Sequence, residues 1–232
     1  MKNKNYNLNL PQMKILFSYD VNEKLILISG GRKPNQKWFN ELRNLHGDIK
    51  IFCADCGIDF CRENNILPEI LIGDFDSANF ESVNWAIDNK IKIERHPVDK
   101  DFTDTQLALN CIDDNNFAII TGIFGGRLDH LYSNLFTCAN SKIKNCLVDE
   151  RETVLFLNSG ESMRIEFLNK PFALSLLPIS AICEGVFIDG VHWPLNFVNL
   201  SQNLPNAVSN RVESNKINIS IEQGILALYF NF

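Results

Sequence analysis

The sequence predicts a mixed α/β protein: an N-terminal open, mostly parallel α/β domain followed by a small all-β sandwich or barrel domain. Three observations support this fold class. From residue 24 to residue 149, apolar runs typical of strands alternate with stretches of helical periodicity, which is the pattern of a parallel sheet with helices on both faces. After residue 151, short apolar runs follow one another between turn residues. Acidic clusters follow three strand-like runs of the first half.

The apolar runs place the individual elements in order. In the first half, strands are predicted at residues 24–29, 49–54, 70–72, 91–93, 117–121 and 144–149, with helices at 38–45, around 60, at 80–87, 103–112 and 128–139. In the second half, strands are predicted at residues 153–157, 162–167, 172–177, 181–188, 217–221 and 225–232, and turns or hairpins at 158–160, 189–190 and 223–224. The predicted organisation is therefore a polar tail at 1–13, an α/β domain at 14–150 and a β domain at 151–232.

Composition and charge exclude several classes of protein. The chain has 232 residues and a net charge of −6, which argues against a nucleic-acid partner because such proteins need a basic face. No apolar run approaches the ~18 residues that span a bilayer, so no membrane partner is expected. The N-terminal residues lack the apolar stretch of a signal peptide. Seven scattered cysteines are typical of a reduced, cytoplasmic protein, and no second Cys or His pair has zinc-ligand spacing.

Carboxylates gather where predicted strands end. Asp74 and Asp76 follow the strand at 70–72, Asp101 and Asp104 follow the strand at 91–93, and Asp129 follows the strand at 117–121. In a parallel sheet these strand ends share one edge, where ligands bind. Five carboxylates at one edge repel each other unless a cation lies among them, and a hard divalent metal that carries phosphates fits this setting. The sequence therefore predicts a site for a metal-bound nucleotide.

Each cluster also has a structural explanation. The acids after residue 73 fit a turn that caps the following helix, and Thr103 with Gln106 forms a capping box that accounts for Asp104 as a first-turn acid. The string Gly125-Gly126-Arg127-Leu128-Asp129-His130 is more specific. Its glycines allow close backbone approach to a ligand, and Arg127 offers a fork that matches phosphate oxygens. No P-loop string occurs, so phosphate binding must depend on metal, arginine and glycine backbone.

Taken together, these strings resemble the thiamine pyrophosphokinase family. The resemblance is carried by Ala54-Asp55-Cys56-Gly57, Pro68-Glu69-Ile70-Leu71-Ile72-Gly73-Asp74-Phe75-Asp76-Ser77, Lys100-Asp101-Phe102-Thr103-Asp104 and the Gly125–His130 string, with weaker matches at Gly190–Leu195 and Ser209-Asn210. It covers nearly the whole chain after the tail. It implies an α/β nucleotide-binding domain and a β domain, a homodimer that binds thiamine between subunits, and the Mg²⁺-dependent conversion of ATP and thiamine into AMP and thiamine diphosphate.

The resemblance also implies roles for individual residues. Metal binding is expected at Asp74, Asp76, Asp101 and Asp104, and nucleotide binding at Asp55, Lys100, Gly125, Gly126 and Arg127. Thiamine binding is expected at Asp129, Trp193, Ser209 and Asn210. Of these, Asp74, Asp76, Asp104, Arg127 and Asp129 are the expected catalytic residues. Cys56 departs from the family pattern, which usually has glycine at this position, and it would disturb the site if the backbone there required positive φ or close approach.

Other functions are compatible with parts of this pattern. Asp74-Phe75-Asp76 alone fits a metal-dependent phosphohydrolase or a glycosyltransferase that uses a nucleotide sugar. The glycosyltransferase hypothesis explains neither the Lys100–Asp104 string nor the string that contains Arg127. A non-catalytic sensor of ATP and thiamine is a further hypothesis, with Cys56 as the feature in its favour.

Overall fold

The structure, a computed structural model, describes residues 7–232, so the part of the predicted tail before residue 7 lies outside the described residues. In chain order the strands are β1 (Leu8–Leu10), β2 (Met13–Phe17), β3 (Lys24–Ile28), β4 (Lys50–Ala54), β5 (Ile70–Gly73), β6 (Lys92–Arg95), β7 (Phe117–Thr121), β8 (Lys144–Val148), β9 (Glu152–Asn158), β10 (Ser162–Phe167), β11 (Ala173–Pro178), β12 (Ile182–Ile188), β13 (Leu195–Ser201), β14 (Lys216–Ser220) and β15 (Ile225–Asn231). The helices are α1 (Gln36–His46), α2 (Gly57–Glu63), α3 (Phe80–Asp88), α4 (Asp104–Asn110) and α5 (Leu128–Ala139). The mixed α/β class is confirmed, and the predicted elements that match observed ones differ only at their ends.

The chain divides into two compact units, and the α/β unit spans Asn22–Asp149. Its strands lie in the order β8-β7-β3-β4-β5-β6 and pair in parallel. The chain runs from β3 outward to β6 and then returns to place β7 on the other side of β3. The order of the strands therefore reverses between β3 and β7, and ligands of open α/β sheets bind at such a switch point.

Apolar strands and amphipathic helices build the core of this unit. All five residues of β7 are buried, as are four of the five in β3, which is typical of parallel strands covered on both faces. Helix α1 begins after Asn35, whose side chain accepts hydrogen bonds from the backbone N–H groups of Lys37 and Trp38. It buries Phe39 and Leu42, each of which stabilises the unit by about 1.5–3 kcal/mol. The predicted capping box at the start of α4 is present.

The β unit combines Glu150–Phe232 with residues 7–21 of the described chain. A six-stranded sheet has the order β1-β2-β10-β14-β12-β13, and β11, β15 and β9 form an antiparallel ladder. The predictions of a polar tail through residue 13 and of an α/β domain from residue 14 differ from this arrangement. Leu8 and Leu10 are fully buried in β1, and β2 pairs with β10 so that Ile15 lies opposite Ile165. Alternating burial along β2 explains the pairing, since every second side chain faces the core.

One strand of the β unit was not predicted, and two of the segments predicted as turns or hairpins are not hairpins. The strand β13 was missed, and it pairs with β12 at the end of the six-stranded sheet. The turns at 158–160 and 223–224 do not close hairpins, because β9 and β15 pair with each other while β10 and β14 pair in the other sheet. Among the described residues, no helix is long and apolar enough to cross a membrane.

Candidate active site

Three aspartates converge at the carboxyl edge of the parallel sheet. Asp55 follows β4, Asp74 follows β5, and Asp104 is the first residue of α4. One carboxylate oxygen from each lies within 4.8 Å of the others. These three residues are called the acidic trio below. Adjacent parallel strands place Asp55 and Asp74 side by side, and the loop after β6 brings the start of α4 to the same edge.

The backbone around the acidic trio adopts unusual conformations. Gly73 has a φ of +141°, and a Cβ there would lie 3.0 Å from Asp104 Oδ1. Asp55 has a φ of +48°, which is uncommon for a residue that carries a side chain. Its backbone N–H donates to the carbonyl of Ile72 at 2.9 Å, so β5 holds it in place. Such conformations concentrate at functional sites, where the surrounding structure enforces them.

Lys100 places an ammonium group inside the acidic trio. Its Nζ donates to Asp74 Oδ2 and lies 3.3 Å from Asp104 Oδ1. Burial favours a higher pKa for Asp74, but hydrogen bonds from Lys100 and from the N–H of Asp76 outweigh it and lower the pKa. Burial, with repulsion from Asp74, raises the pKa of Asp104 despite Lys100. The two carboxylates raise the pKa of Lys100 against the opposing effect of burial, so the ammonium stays charged.

The donor atoms of the acidic trio fit a hard divalent cation. Ser77 Oγ donates to Asp55 Oδ2 at 2.5 Å, whereas the buried Asp55 Oδ1 has no hydrogen-bond partner among the described residues. A buried carboxylate oxygen without a partner is costly. Magnesium prefers carboxylate oxygens, so the residues present suit that ion.

The predicted metal ligands are only partly gathered in this cluster. Asp74 and Asp104 belong to the acidic trio, and Asp55, expected to contact the nucleotide, is its third member. Asp76 and Asp101 are exposed and lie outside the trio. The contribution of Asp76 inside the cluster is its backbone N–H, which donates to Asp74 Oδ1 at 3.1 Å. Its exposed carboxylate and that of Asp101 face solvent.

The glycine-rich string lies exposed after β7. Gly125 and Gly126 have φ values of +74° and +70°, and a Cβ on Gly126 would meet no atom within 4 Å. The turn therefore leaves room beside the backbone of Gly126, whereas a Cβ on Gly125 would lie 3.1 Å from Arg32 Cβ. Arg127 pairs with Asp129 through Nη2 and Oδ2 at 2.5 Å, and this hydrogen bond lowers the pKa of the Asp129 carboxyl. Asp129 is thus ionised at neutral pH and holds the guanidinium that was predicted to bind phosphate.

Hydrogen bonds of Gly31 and Arg32 form a brace at the switch point that the sequence patterns did not predict. The N–H of Gly31 donates to the carbonyl of Gly122 at 2.5 Å, and the N–H of Arg32 donates to the carbonyl of Phe124 at 2.6 Å. Arg32 also donates from Nε and Nη2 to Oδ2 of the buried Asp149, at 2.9 and 2.6 Å. The loop after β3 is thereby tied to the loop after β7 that leads into Gly125. The available signal was a second Gly-Gly-Arg string at residues 30–32.

Replacement of Arg32 by lysine is expected to lower the free energy of unfolding by about 1.5–3 kcal/mol. Lysine keeps the charge but cannot reproduce the two donors of the guanidinium fork, and hydrogen bonds to charged groups contribute about this much. Arg43→Lys, on the exposed face of α1, is the matched control and should change stability by less than about 0.5 kcal/mol. Urea denaturation of both variants measures the difference in free energy of unfolding. Equal denaturation midpoints for Arg32→Lys and Arg43→Lys would contradict a stabilising role of the pair between Arg32 and Asp149.

Cys56 fits the site without backbone strain. Its φ is −68°, so this position does not require the positive φ that would favour glycine. The thiol donates to the carbonyl of Gly30 at 3.3 Å, and a Cβ on Gly30 would lie 2.4 Å from the sulfur. Burial, followed by the charge of Asp55, raises the pKa of Cys56 to about 11. Cys56 is therefore a neutral thiol that the fold accommodates, which weakens the main argument for a degenerate site.

Three of the four residues expected to bind thiamine, Trp193, Ser209 and Asn210, lie together in the β unit, whereas Asp129 belongs to the α/β unit. Asn210 is buried and clamps the backbone of Trp193, since its Oδ1 accepts from the Trp193 N–H at 3.1 Å and its Nδ2 donates to the Trp193 carbonyl at 2.9 Å. Ser209 has a φ of +57°, and its N–H donates to Ser175 Oγ at 3.1 Å. Asn210 thus has a structural role that the sequence did not reveal.

The indole of Trp193 is exposed and lies beside the side chains of Arg211 and His192. The residue is 55% exposed to solvent. The guanidinium carbon of Arg211 lies 5.6 Å from the centroid of its ring. His192 Nδ1 lies 2.6 Å from Glu213 Oε1 beside it. The ring already attracts a cation, which is the chemistry predicted for it.

The α/β unit therefore carries an acidic, lysine-bridged cluster and a glycine-arginine turn near the switch point of a parallel sheet. This combination is typical of enzymes that transfer phosphate groups from nucleotides. Two family models match the chain: "Thiamin pyrophosphokinase, catalytic domain" over residues 44–148, and "Thiamin pyrophosphokinase, vitamin B1 binding domain" over residues 163–226. The chain belongs to the thiamin pyrophosphokinase family, and the resemblance found in its sequence is confirmed.

Solved structures of thiamine pyrophosphokinases share the fold of this chain. Thiamine pyrophosphokinase from Bacillus subtilis has a TM-score of 0.77 at 22% identity, covering 90% of this chain and 99% of that one. The enzyme from Candida albicans has a TM-score of 0.74 at 15% identity, covering 90% of both chains. The yeast enzyme has a TM-score of 0.67 at 16% identity, covering 92% of this chain and 87% of that one. A search of curated proteins gave no match.

Proposed function

We propose that this protein transfers the pyrophosphoryl group of ATP to the hydroxyl of thiamine, giving thiamine diphosphate and AMP in a Mg²⁺-dependent reaction. The observation that carries this proposal is the acidic trio at the carboxyl edge of the sheet, inside the region matched by the catalytic family model. Pyrophosphoryl transfer needs positioned reactants and neutralised charge rather than a covalent protein intermediate. A cluster of carboxylates suited to a divalent cation supplies the second requirement.

We assign the metal to the acidic trio, with the exposed carboxylates of Asp76 and Asp101 completing the predicted set at its rim. Bound there, Mg²⁺ supplies positive charge to the polyphosphate. The protein's own contribution is rigid placement. Asp55 is held by Ser77 and Ile72, and Asp74 by Lys100 and the N–H of Asp76.

The glycine turn and Arg127 are assigned to the polyphosphate. The open backbone at Gly126 leaves space for phosphate oxygens beside the exposed Gly125, and Arg127 can exchange its carboxylate partner for a phosphate of the same fork geometry. We infer that the thiamine hydroxyl attacks the β-phosphorus in line with the departing AMP. Asp129 is ionised, so once released from Arg127 it can accept a hydrogen bond from this hydroxyl and orient or deprotonate it.

The β unit is assigned to thiamine, and we expect its antiparallel strands to pack as a small sandwich or barrel. The thiazolium of thiamine is a cation, which suits stacking on the exposed indole of Trp193. We propose that Ser209 and Asn210 hydrogen-bond near the pyrimidine, Asn210 in addition to its bonds to the backbone of Trp193. We also propose a homodimer, to be checked by sedimentation velocity, and a cytoplasmic location, which the seven free cysteines support.

Replacement of Trp193 by alanine is expected to raise the KM for thiamine about 2- to 30-fold and to leave the KM for ATP unchanged. The factor follows from a cation–π attraction of about 0.5–2 kcal/mol. Phe172→Ala, which removes another exposed aromatic ring of the β unit, should change neither constant. Steady-state kinetics with each substrate varied in turn measure the effect. An equal increase for ATP and thiamine would argue against the stacking role.

Product analysis tests the function itself. Purified protein is incubated with ATP, thiamine and Mg²⁺, and parallel samples contain EDTA or lack thiamine. AMP and thiamine diphosphate in equal amounts, both abolished by EDTA, support the proposal. ADP or phosphate released without thiamine would instead indicate a phosphohydrolase. Binding of ATP and thiamine without turnover would indicate a sensor.

A further inference from the structure

A cation that belongs to the protein lies within the predicted metal site. The ammonium of Lys100 contacts Asp74 Oδ2 and lies 3.3 Å from Asp104 Oδ1. These two residues are members of the acidic trio. The side chain of Lys100 is 13% exposed and that of Asp74 is 8% exposed. The contact is therefore part of the site and not a surface ion pair.

Charge balance explains why a lysine is needed there. Three ionised carboxylates with oxygens within 4.8 Å of one another carry a charge of −3, and like charges this close repel one another. Lys100 reduces the charge of the cluster to −2 and compensates part of this repulsion. A divalent cation bound to the same carboxylates would approach the ammonium closely, and two cations so near each other repel strongly. Lys100 and the metal therefore compete for Asp74 and Asp104.

We propose that Lys100 is an exchangeable counter-ion: it neutralises the acidic trio before the metal arrives and then turns to the polyphosphate of the nucleotide. The inference rests on the proposed function and adds to it that Lys100 and the metal compete for the same carboxylates. Lysine suits this task because its ammonium is a compact charge on a flexible stem with three donors. Lys100 repels a metal that binds without nucleotide, but it attracts the phosphates of a nucleotide that arrives with the metal. The binding of metal and the binding of nucleotide are therefore coupled, and each strengthens the other.

The test compares Lys100→Met with the unchanged protein in two binding measurements. Titration with Mn²⁺ alone, followed by electron paramagnetic resonance, gives the metal affinity without nucleotide. Titration with a non-hydrolysable ATP analogue at saturating Mg²⁺ gives the nucleotide affinity. Lys100→Met should bind Mn²⁺ about tenfold more tightly or better, and should bind the analogue at least fivefold more weakly. Lys24→Met, which removes the same charge at the start of β3, should leave both affinities unchanged.

Tighter binding of Mn²⁺ together with weaker binding of the ATP analogue distinguishes this role from a structural one, because misfolding would weaken both affinities. Lys100→Gln is the second neutral variant if the methionine variant does not fold. Unchanged or weaker Mn²⁺ affinity in a folded variant overturns the proposal. Neither measurement needs turnover. If the unchanged protein forms no thiamine diphosphate and the Mn²⁺ competition is still present, the proposed function fails and the exchange of Lys100 survives.

Discussion

Replacement of Asp74 by asparagine should reduce thiamine diphosphate formation at least a hundredfold and leave the protein folded. Asparagine has the same shape but removes the negative charge that Lys100 contacts and that the metal requires. Charge stabilisation by a bound metal contributes several kcal/mol to such a reaction, and each 1.36 kcal/mol corresponds to a tenfold change in rate. The cluster also loses one of three repelling charges, so stability should change little.

The measurement combines turnover with Mn²⁺ binding and a thermal unfolding curve. Asp88→Asn, at the exposed end of α3, removes the same charge outside the cluster and should keep normal turnover. Asp74→Asn should lose Mn²⁺ affinity along with activity. Near-normal turnover in this variant would exclude the acidic trio as the metal site.

Replacement of Gly122 by alanine should be among the most destabilising single changes in the α/β unit, with a cost of about 4 kcal/mol or more. Gly122 follows β7 with a φ of +68°, and a Cβ there would lie 2.3 Å from the carbonyl oxygen of Ser29. Two penalties therefore add. Residues with a side chain rarely adopt this backbone conformation, and the new Cβ would clash with the backbone of the loop after β3, which cannot move aside. The loop that carries Gly125 would be displaced as well.

A second glycine separates these two penalties. Gly47, at the end of α1, has a φ of +65°, and a Cβ there would meet no atom within 4 Å. Gly47→Ala should therefore cost only about 1 kcal/mol, the strain of the backbone alone. For a chain of this size the melting temperature should fall by about 2–4 °C in Gly47→Ala and by about 8–16 °C in Gly122→Ala. Equal shifts in calorimetry would show that the loops can separate without cost.

The sequence predicted the candidate site better than it predicted the contacts inside it. Acids at strand ends are a local pattern, so Asp74 and Asp104 could be assigned together from the positions of their strands. The inclusion of Asp55 and the exposure of Asp76 depend on backbone angles that no periodicity reports. The pair between Arg32 and Asp149 joins residues far apart in the chain, and the Gly-Gly-Arg string that contains Arg32 does not identify Asp149 as its partner.

In the fold, too, elements with a strong local pattern were predicted and elements that depend on tertiary pairing were not. Buried strands such as β7 and helices such as α5 have patterns strong enough to be placed from the sequence. The strand β13 was missed because four of its seven residues are exposed in succession, which removes the alternation that marks a strand. The strands β1 and β2 are short and pair with each other, and β10, the second partner of β2, lies far along the chain. Their burial arises from tertiary pairing and not from local propensity.

The division of the β unit across the chain has a consequence for biosynthesis. Every strand of the α/β unit lies between Asn22 and Asp149, so this unit can fold on the ribosome as soon as that stretch has emerged. In contrast, Ile15 must wait for Ile165, its partner in β10, which is 165 − 15 = 150 positions later. Until then the buried leucines of β1 have only β2 to pair with. Residues 8–17 therefore complete their sheet only after the whole α/β unit has been synthesised.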